Sequence, residues 1–228
     1  MTSRLDAPTV TAVALGDVAA RYARDASGLL RTLLTETERD QFGRLNPRRR
    51  LNWLAGRWAG KQALRASRGG GGWHQHRIEL RGNVPRAAEG GALSIGHAGD
   101  WAVAACRGHG RVGVDVEPLR EFSPAAAPAV FTPDELALAR GFDLEPDYRG
   151  LALWSLREAV VKAFGGTFSH GLGTVRLCAH RGDRVTVSIH ADRTVQYDLR
   201  LNHHRLTGPV PHLVTVVSTD QEERSPWN

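Results

Sequence analysis

The chain of 228 residues has few of the residues that make disulfides, membrane spans or secretion signals. Its two cysteines, Cys106 and Cys178, cannot build a disulfide framework and form no C-x-x-C pair. We expect both to be reduced and packed as small hydrophobic side chains. No apolar run reaches the length of a membrane span, and the N-terminus lacks the apolar stretch of a signal peptide. A soluble cytoplasmic protein without membrane contact is therefore expected.

Aromatic residues are also few, at 7%, and they do not interleave with basic residues as single-strand nucleic-acid binders require. We therefore expect no nucleic-acid partner, although a basic nucleic-acid-binding protein stays open as the non-enzyme alternative. The net charge of +6 indicates an anionic partner, such as a phosphorylated ligand, an anionic lipid or an acidic protein. The same charge is also typical of an arginine-rich solvated surface, so it selects no function by itself.

The first half of the chain predicts strands around one well-formed helix. Thr35 and Glu38 have the spacing of a capping box, in which each residue satisfies a free backbone N–H of the helix end. Leu51–Arg65 has the apolar spacing of a helix. The expected strands are Val10–Val18, His76–Leu80, Ala92–Ile95 and Trp101–Cys106, with a turn at Gly96–Asp100.

The second half repeats this order. Thr132 and Glu135 form another capping box, with Pro133 at the first helical position. Leu151–Phe164 is again a predicted helix. A meander of strands is expected after it: Thr174–Ala179, Arg184–His190, Val195–Leu201 and Leu213–Ser218.

The two predicted helices share a pattern that indicates an internal duplication. Trp53-x7-Lys61 in the first helix corresponds to Trp154-x7-Lys162 in the second. Amphipathic helices share such patterns by chance as well, and that alternative stays open. A duplication predicts an α+β pseudo-dimer of two similar lobes with a cleft between them, which is where ligand sites commonly lie. The predicted domains are residues 1–112, residues 113–220 and a polar tail at 221–228.

Asp115 and Glu117 are the first candidate functional residues. Side chains at i and i+2 of a strand share a face, so the two carboxylates point the same way while Val114 and Val116 point the other. Two carboxylates at such a distance repel unless a positive charge lies between them. Mg²⁺ binds carboxylates together with phosphate oxygens. A solvated acidic strand end, or a salt bridge to an arginine, is the alternative.

Glu158 and Lys162 are four residues apart on the second helix, which places them on one face with Trp154 one turn earlier. A surface ion pair is one interpretation. The apolar residues around them indicate instead a largely buried helix, where such a pair is costly unless it serves a function. His97, beside Gly96 and Ala98 at a predicted turn, is either a structural residue or a phosphate contact.

Several segments together resemble the Sfp-type 4′-phosphopantetheinyl transferases. The resemblance is carried by SIGHAGDWAVAA, GVDVEPLR and WSLREAVVKAFGG in this order, with RRRLNWLAGRWAGKQAL upstream and the glycine-proline turn Gly82–Pro85. It covers about residues 35 to 175 and implies the fold of two α+β lobes with the active site in the cleft between them.

The resemblance implies a role for each matching residue. Asp115 and Glu117 match the family's magnesium pair, and Glu158 matches a third metal ligand that is also a candidate general base. Lys162 matches the lysine that holds the phosphates of coenzyme A, and His97 matches a histidine that contacts them. These two residues and Glu158 are the expected catalytic residues.

Further residues match the family more loosely. Arg50, Arg57 and Lys61 fall where the family often places first-lobe cations for the nucleotide end of the cofactor, and Leu119–Phe131 falls where it docks its carrier protein. The resemblance also shows departures. Gly96 and Ala98 stand where the family usually has serines, and Arg157 stands for a lysine, which changes the geometry of a phosphate contact.

The expected function is Mg²⁺-dependent transfer of phosphopantetheine from coenzyme A to a serine of an apo-carrier protein of fatty-acid, polyketide or nonribosomal peptide synthesis. Adenosine 3′,5′-bisphosphate is the expected by-product, and a monomer is the expected state. Two further alternatives are a metal-dependent phosphohydrolase acting on a nucleotide and a homologue that binds coenzyme A or a carrier without transferring.

Overall fold

A long helix followed by antiparallel strands occurs twice in the computed structural model, which describes residues 7–82, 84–166, 173–191, 193–220 and 226–227. The chain divides into two compact units between His109 and Gly110. Both units combine helices with antiparallel sheets, which confirms the predicted α+β fold class. The lobe boundaries and the cleft given above stay predictions.

The first unit packs its long helix α4 on a three-stranded sheet of order β1-β5-β4, and β2 and β3 form a separate hairpin. Its helices are α1 (Leu15–Arg24), α2 (Ala26–Leu33), α3 (Glu36–Arg44) and α4 (Pro47–Ser67). Its strands are β1 (Thr9–Ala14), β2 (Ile78–Arg81), β3 (Val84–Ala87), β4 (Ala92–Ala98) and β5 (Trp101–Arg107). A single turn of 3₁₀ helix at Trp73–Gln75 connects α4 to β2.

Helix α4 begins where the sequence provides a cap and a proline. The Asn46 side chain accepts a hydrogen bond from the backbone N–H of Arg48 at 3.0 Å, and Pro47 occupies the first turn, where its missing N–H costs nothing. Small residues such as Ala55, Ala59 and Ala63 are fully buried, so the helix lies close to the sheet.

The second unit packs helix α7 on a five-stranded antiparallel sheet of order β6-β10-β9-β8-β7. Its helices are α5 (Ala127–Val130), α6 (Pro133–Ala139) and α7 (Arg149–Phe164), with a 3₁₀ turn at Pro146–Tyr148. Its strands are β6 (Arg111–Pro118), β7 (Val175–Arg181), β8 (Arg184–His190), β9 (Thr194–Leu206) and β10 (His212–Thr219).

Helix α7 is buried along most of its length and ends at a glycine. Gly165 has a φ of +77°, a left-handed conformation that closes helices and that residues with a Cβ adopt at a cost. Its apolar residues form one core cluster with the inner face of the sheet, which includes Tyr197, Leu199 and Leu213.

The same kind of buried contact occurs within each of the two units, which supports the predicted duplication. Both predicted capping boxes form, and in each the glutamate lies almost fully buried. The second oxygen of each glutamate accepts a backbone N–H from the first strand after the long helix: Ile78 donates to Glu38 at 3.3 Å, and Leu177 donates to Glu135 at 3.0 Å. A helix pattern shared by chance does not require a capping glutamate that also anchors a distant strand, so these equivalent contacts favour a duplication.

A second pair of equivalent contacts lies at the start of each long helix. Arg50 Nε donates to the carbonyl of Leu45, and Arg149 Nε donates to the carbonyl of Leu144, both at 3.2 Å. Each arginine thereby satisfies a backbone acceptor of the segment that leads into its helix.

The units differ in the cation that neutralises the buried glutamate. In the first unit Lys61 binds Glu38 at 2.7 Å, and Lys61 is fully buried. In the second unit Arg157 binds both oxygens of Glu135, at 2.7 and 2.8 Å. The only lysines of the chain are Lys61 and its counterpart Lys162. Because Arg157 neutralises Glu135, Lys162 is left available for another carboxylate.

Two sequence-based expectations, for the first strand and for the cysteines, need correction. The strand predicted at Val10–Val18 ends at Ala14, because Leu15, Val18 and Tyr22 have helical spacing and pack on the first core as part of α1. Cys106 is buried as expected, whereas Cys178 is exposed next to an irregularity in the pairing of β7 with β8.

The predicted polar tail at 221–228 lies outside the described residues except for Pro226 and Trp227. Pro226 is buried and Trp227 packs against the core of the second unit, so these two residues are not a solvated tail. No helix within the described ranges combines the length and the apolar character that crossing a membrane requires.

Candidate active site

Strand β6 and helix α7 meet at a glycine. A Cβ atom added to Gly113 would lie 1.9 Å from the carbonyl oxygen of Ala159, which is part of the α7 backbone. The absence of a side chain therefore lets the helix lie directly on the strand. Residues at i and i+2 of a strand share a face, so Asp115 and Glu117 point toward α7 together with Gly113.

Asp115 is held from α7 by two different donors. Lys162 Nζ lies 2.7 Å from Oδ1, and the hydroxyl of Ser155 donates to Oδ2, also at 2.7 Å. Asp115 is 5% exposed and Ser155 is fully buried, whereas the Lys162 side chain is 30% exposed. Both oxygens of the carboxylate thus have defined positions.

Glu117 and Glu158 complete a cluster of three carboxylates. Burial raises the pKa of Glu117, and the charge of Asp115 raises it further, while Arg120, a hydrogen bond from the Trp154 side chain and Lys162 lower it. Burial also raises the pKa of Glu158; Lys162 lowers it, and Asp115 and Glu117 raise it. The three acids, predicted from two separate segments, therefore lie close enough for their charges to interact.

This donor set fits a hard divalent cation. The charge of Asp115 raises the pKa of both Glu117 and Glu158, and a cation among the three carboxylates would relieve this repulsion. Mg²⁺ prefers oxygen ligands. Within the described ranges, no group of three or more His, Cys, Asp or Glu side chains has the arrangement of a metal site. The fit therefore rests on the chemistry of the three carboxylates.

His97 and Arg57 line a cavity of about 210 Å³ in the first unit, together with apolar residues. The apolar part of its lining includes Trp53, Leu80, Pro85 and Ile95. Gly56 also contributes to the wall, and a Cβ there would lie 2.5 Å from Nε2 of His97, so the glycine makes room for the imidazole.

Arg57 is 4% exposed, and its Nε and Nη2 atoms have no hydrogen-bond partner. The guanidinium lies over the Trp53 ring at 4.6 Å, a cation–π contact that provides no acceptor for these two nitrogen atoms. Burial lowers the pKa of Arg57, whereas the charge of Glu38 raises it. A buried cation with free donors at a cavity wall is suited to an anionic ligand.

The setting of His97 differs from the predicted turn. Strand β4 continues through Ala98, with Gly96, His97 and Ala98 paired to β5, so only Gly99 and Asp100 form the turn. The segment is therefore extended backbone with part of its hydrogen-bonding capacity used in the sheet. In this segment a ligand can therefore contact the exposed imidazole of His97 rather than a loop of free backbone N–H groups.

Two other predicted cations are not brought to this cavity. Lys61 is fully buried and donates to the carbonyl of Trp73 as well as pairing with Glu38. Arg50 uses Nε and Nη2 on the carbonyls of Leu45 and Gly43. The structure thus gives no support to a contact between either residue and coenzyme A.

Arg157 also differs from its sequence-based interpretation. It was expected to make an altered phosphate contact, but it is 1% exposed and is bound to Glu135 and to the carbonyl of Val130. A guanidinium so buried is out of reach of a phosphate in the solvent. The resemblance placed it correctly in the helix but not in its role.

The sequence-based reasoning missed Ser155 and the contact role of Gly113. A serine among apolar residues on a helix that is predicted to be buried was the available signal for Ser155, because a buried hydroxyl requires a partner. For Gly113 the signal was a glycine inside a strand, which commonly marks a close approach of another backbone.

Comparisons with known proteins match the part of the chain that contains these residues. The family model of the 4′-phosphopantetheinyl transferase superfamily matches residues 111–217, which include all three carboxylates and Lys162. A 4′-phosphopantetheinyl transferase psf-1 of Bacillus pumilus is 32% identical over 84 residues, which are 36% of this chain and 35% of that protein. The chain therefore matches only about a third of that relative's length.

The holo-[acyl-carrier-protein] synthase of Halalkalibacterium halodurans is 35% identical over 85 residues, which are 33% of this chain and 71% of that protein. The solved structure of the holo-[acyl-carrier-protein] synthase of Neisseria meningitidis matches with a TM-score of 0.40 and 18% identity, over 43% of this chain and 94% of that one. The Sfp type stays a prediction. With most of the second relative's length matched at 35% identity, and with the family model spanning all four charged residues of the site, the chain belongs to the 4′-phosphopantetheinyl transferase superfamily.

Proposed function

We propose that this chain transfers the 4′-phosphopantetheine group from coenzyme A to a serine of an apo-carrier protein. The observation that carries the proposal is the contact of β6 with α7, which gathers Asp115, Glu117 and Glu158 beside Lys162 in a member of this superfamily. Mg²⁺, coenzyme A and the carrier protein are parts of the proposal.

Each charged residue of this cluster has a role in the proposed reaction. Asp115, Glu117 and Glu158 would hold Mg²⁺, whose charge stabilises the pyrophosphate of coenzyme A and the charge that develops on it. Lys162, whose side chain is 30% exposed, would donate to the phosphoryl oxygens. Positioning and charge stabilisation supply most of the catalysis in phosphoryl transfer.

Glu158 is the proposed general base. Its side chain is only half buried, so its carboxylate is accessible to the serine hydroxyl of the carrier. It takes the proton of the carrier serine while the serine oxygen attacks the β-phosphorus of coenzyme A. The bond from that phosphorus to the bridging oxygen breaks, and adenosine 3′,5′-bisphosphate leaves with the electron pair.

Arg57 and His97 are proposed to bind the nucleotide end of coenzyme A. Arg57 has unsatisfied N–H groups for a phosphate, and Trp53, Leu80 and Pro85 offer apolar surface for a base in the same cavity. Arg50 and Lys61 are left out because their donors are used within the protein. Gly96 and Ala98 lack the hydroxyls of the serines that the resemblance places there, so this segment offers fewer polar groups to a phosphate.

The carrier protein is proposed to dock on the segment Leu119–Phe131, whose Phe122 ring packs at a tilted angle against Phe131 and against Trp154 of α7. The segment thus leads directly to the helix that carries Glu158. The positive net charge suits an acidic carrier. That the protein acts as a cytoplasmic monomer stays a prediction. Gel filtration tests its oligomeric state.

The test is transfer itself. The protein is incubated with coenzyme A, Mg²⁺ and several apo-carrier proteins, and the mass of phosphopantetheine is sought on the carrier. Asp115→Asn should abolish transfer, and Asp134→Asn, which alters an exposed carboxylate of α6, should not. Absence of transfer to every carrier by the folded protein would sink the proposal, and consumption of coenzyme A without a carrier would identify a hydrolase.

A further inference from the structure

Ser155 is a polar residue at a position where an apolar one is expected. It is fully buried on α7, and the residues one turn before and after it on the helix, such as Leu151, Ala152 and Ala159, belong to the apolar core. A hydroxyl in such a place is costly unless it has a partner. Serines inside helices commonly bond to the carbonyl four residues earlier, but Ser155 donates to Asp115 on β6 instead.

The two donors that hold Asp115 differ in mobility. Lys162 reaches Oδ1 through a long side chain that is 30% exposed and able to move to another anion. Ser155 reaches Oδ2 through a side chain with a single rotatable heavy-atom torsion, enclosed on all sides. The Ser155 contact is therefore the fixed one, and the Lys162 contact is exchangeable.

The contact at Gly113 makes the Ser155 bond possible. Because α7 lies directly on β6 there, the short serine side chain spans the remaining distance to Asp115 at 2.7 Å. Trp154, the residue before Ser155, makes a hydrogen bond with Glu117 through its side chain. Neighbouring residues of one helix thus hold both carboxylates of the strand.

We infer that Ser155 is a positioning residue for the metal site: it holds Oδ2 of Asp115 so that Oδ1 is presented to a divalent cation when Lys162 moves to the phosphates. The inference rests on the proposed function, since it takes Asp115 as a ligand of Mg²⁺. Hydrogen bonds that orient a ligand are worth about 10–100-fold in metal affinity or activity.

The test measures Mg²⁺ binding without the reaction. The melting temperature is followed as a function of Mg²⁺ concentration, with EDTA as the zero point, and transfer is measured separately at several Mg²⁺ concentrations. Ser155→Ala should raise the half-saturating Mg²⁺ concentration about 10–100-fold. Its transfer rate should return to within about threefold of the wild-type rate once Mg²⁺ is saturating, because the ligand itself remains.

Matched variants separate positioning from general stability. Ser188→Ala removes another buried hydroxyl of the same unit, one bonded to His190, and should leave the Mg²⁺ response unchanged. Ser155→Thr keeps the hydroxyl and should restore the wild-type response. If its extra methyl group disrupts folding, Ser155→Cys provides a weak donor of similar size. Its half-saturating Mg²⁺ concentration should then lie between those of Ser155→Ala and the wild type.

Three results would overturn the inference. They are an unchanged Mg²⁺ half-saturation in Ser155→Ala, an equal change in Ser188→Ala, and a wild-type protein whose melting temperature does not respond to Mg²⁺. Failure of the wild type to modify any carrier counts against the proposed function, whereas normal transfer with an unchanged Mg²⁺ requirement in Ser155→Ala counts against this inference alone.

Discussion

Replacing Gly113 with alanine tests whether the close approach of α7 to β6 assembles the site. The added Cβ would lie 1.9 Å from the carbonyl oxygen of Ala159 and within 3.0 Å of two further backbone atoms, one of Ala159 and one of Ala163. Backbone atoms of a helix cannot rotate away as a side-chain end can. The helix must therefore retreat from the strand.

The size of the retreat follows from these distances. Real Cβ atoms essentially never approach a heavy atom within 3.0 Å, so the separation must grow by about 1 Å or more. Overpacking of this kind costs about 1–3 kcal/mol of folding free energy. In a chain of this size, each kcal/mol lowers the melting temperature by about 2–4 °C.

The same retreat affects the site more than the fold. The bonds from Ser155 and Lys162 to Asp115 are both 2.7 Å long, and a further 1 Å places them outside the normal range of about 2.7–3.2 Å. A misplacement of about 1 Å at a reacting centre can cost about 100-fold in rate. We expect Gly113→Ala to fold and to lose transfer activity by about that factor.

The assay combines urea unfolding with the carrier mass shift. Gly16→Ala is the control, because it makes the same change in α1 where no atom lies within 4 Å of the added Cβ. It should be neutral or stabilising by up to about 1 kcal/mol, with normal transfer. Wild-type stability and wild-type transfer in Gly113→Ala would refute the reasoning that this contact sets the geometry of the site.

Three further variants test separate parts of the structure. Arg57→Met should weaken binding of adenosine 3′,5′-bisphosphate about tenfold or more, since it removes the unsatisfied donors of the cavity; unchanged affinity by calorimetry would remove Arg57 from the site. Arg157→Met should cost about 3–5 kcal/mol in urea unfolding, because Glu135 stays buried with only the more distant Arg176, at 3.5 Å, as its cation, and adding Glu135→Gln should recover part of the loss. Glu158→Gln should lower transfer about 100-fold or more and raise the melting temperature in EDTA at pH 7. Burial chiefly raises the pKa of Glu158 above its ordinary value of 4.5, so ionisation destabilises the fold as pH rises through that raised pKa, and the gain should vanish below about pH 4.5; an equal gain at pH 4 and pH 7 would contradict this.

Much of the fold could be predicted from local patterns. Both capping boxes, both long helices and the strands of the second unit were predictable because caps, periodicity and turn residues act within a few positions of one another. The end of β1 was not, because alternating apolar residues at Val10–Val18 also fit the start of a helix.

The charged residues show where sequence reasoning stops. The i,i+2 spacing of Asp115 and Glu117 placed them on one face of β6, and helical spacing placed Glu158 and Lys162 on one face of α7. The hydrogen-bond and ion-pair partners of these residues could not be predicted from such spacing. Arg157, Lys61 and Lys162 were all assigned to phosphates, but two of them neutralise buried glutamates.

The sequence by itself determined which residues share a face of each helix and strand, since those relations depend only on the backbone periods of 3.6 and 2. Only the tertiary structure decided which faces meet and at what distance. The approach of α7 to β6 at Gly113 makes Ser155 and Lys162 the partners of Asp115. The buried Glu135 pairs with Arg157, which is therefore not available to a ligand. Ion pairs and hydrogen bonds depend on separations of a few tenths of an ångström between segments far apart in the chain, which no local pattern specifies.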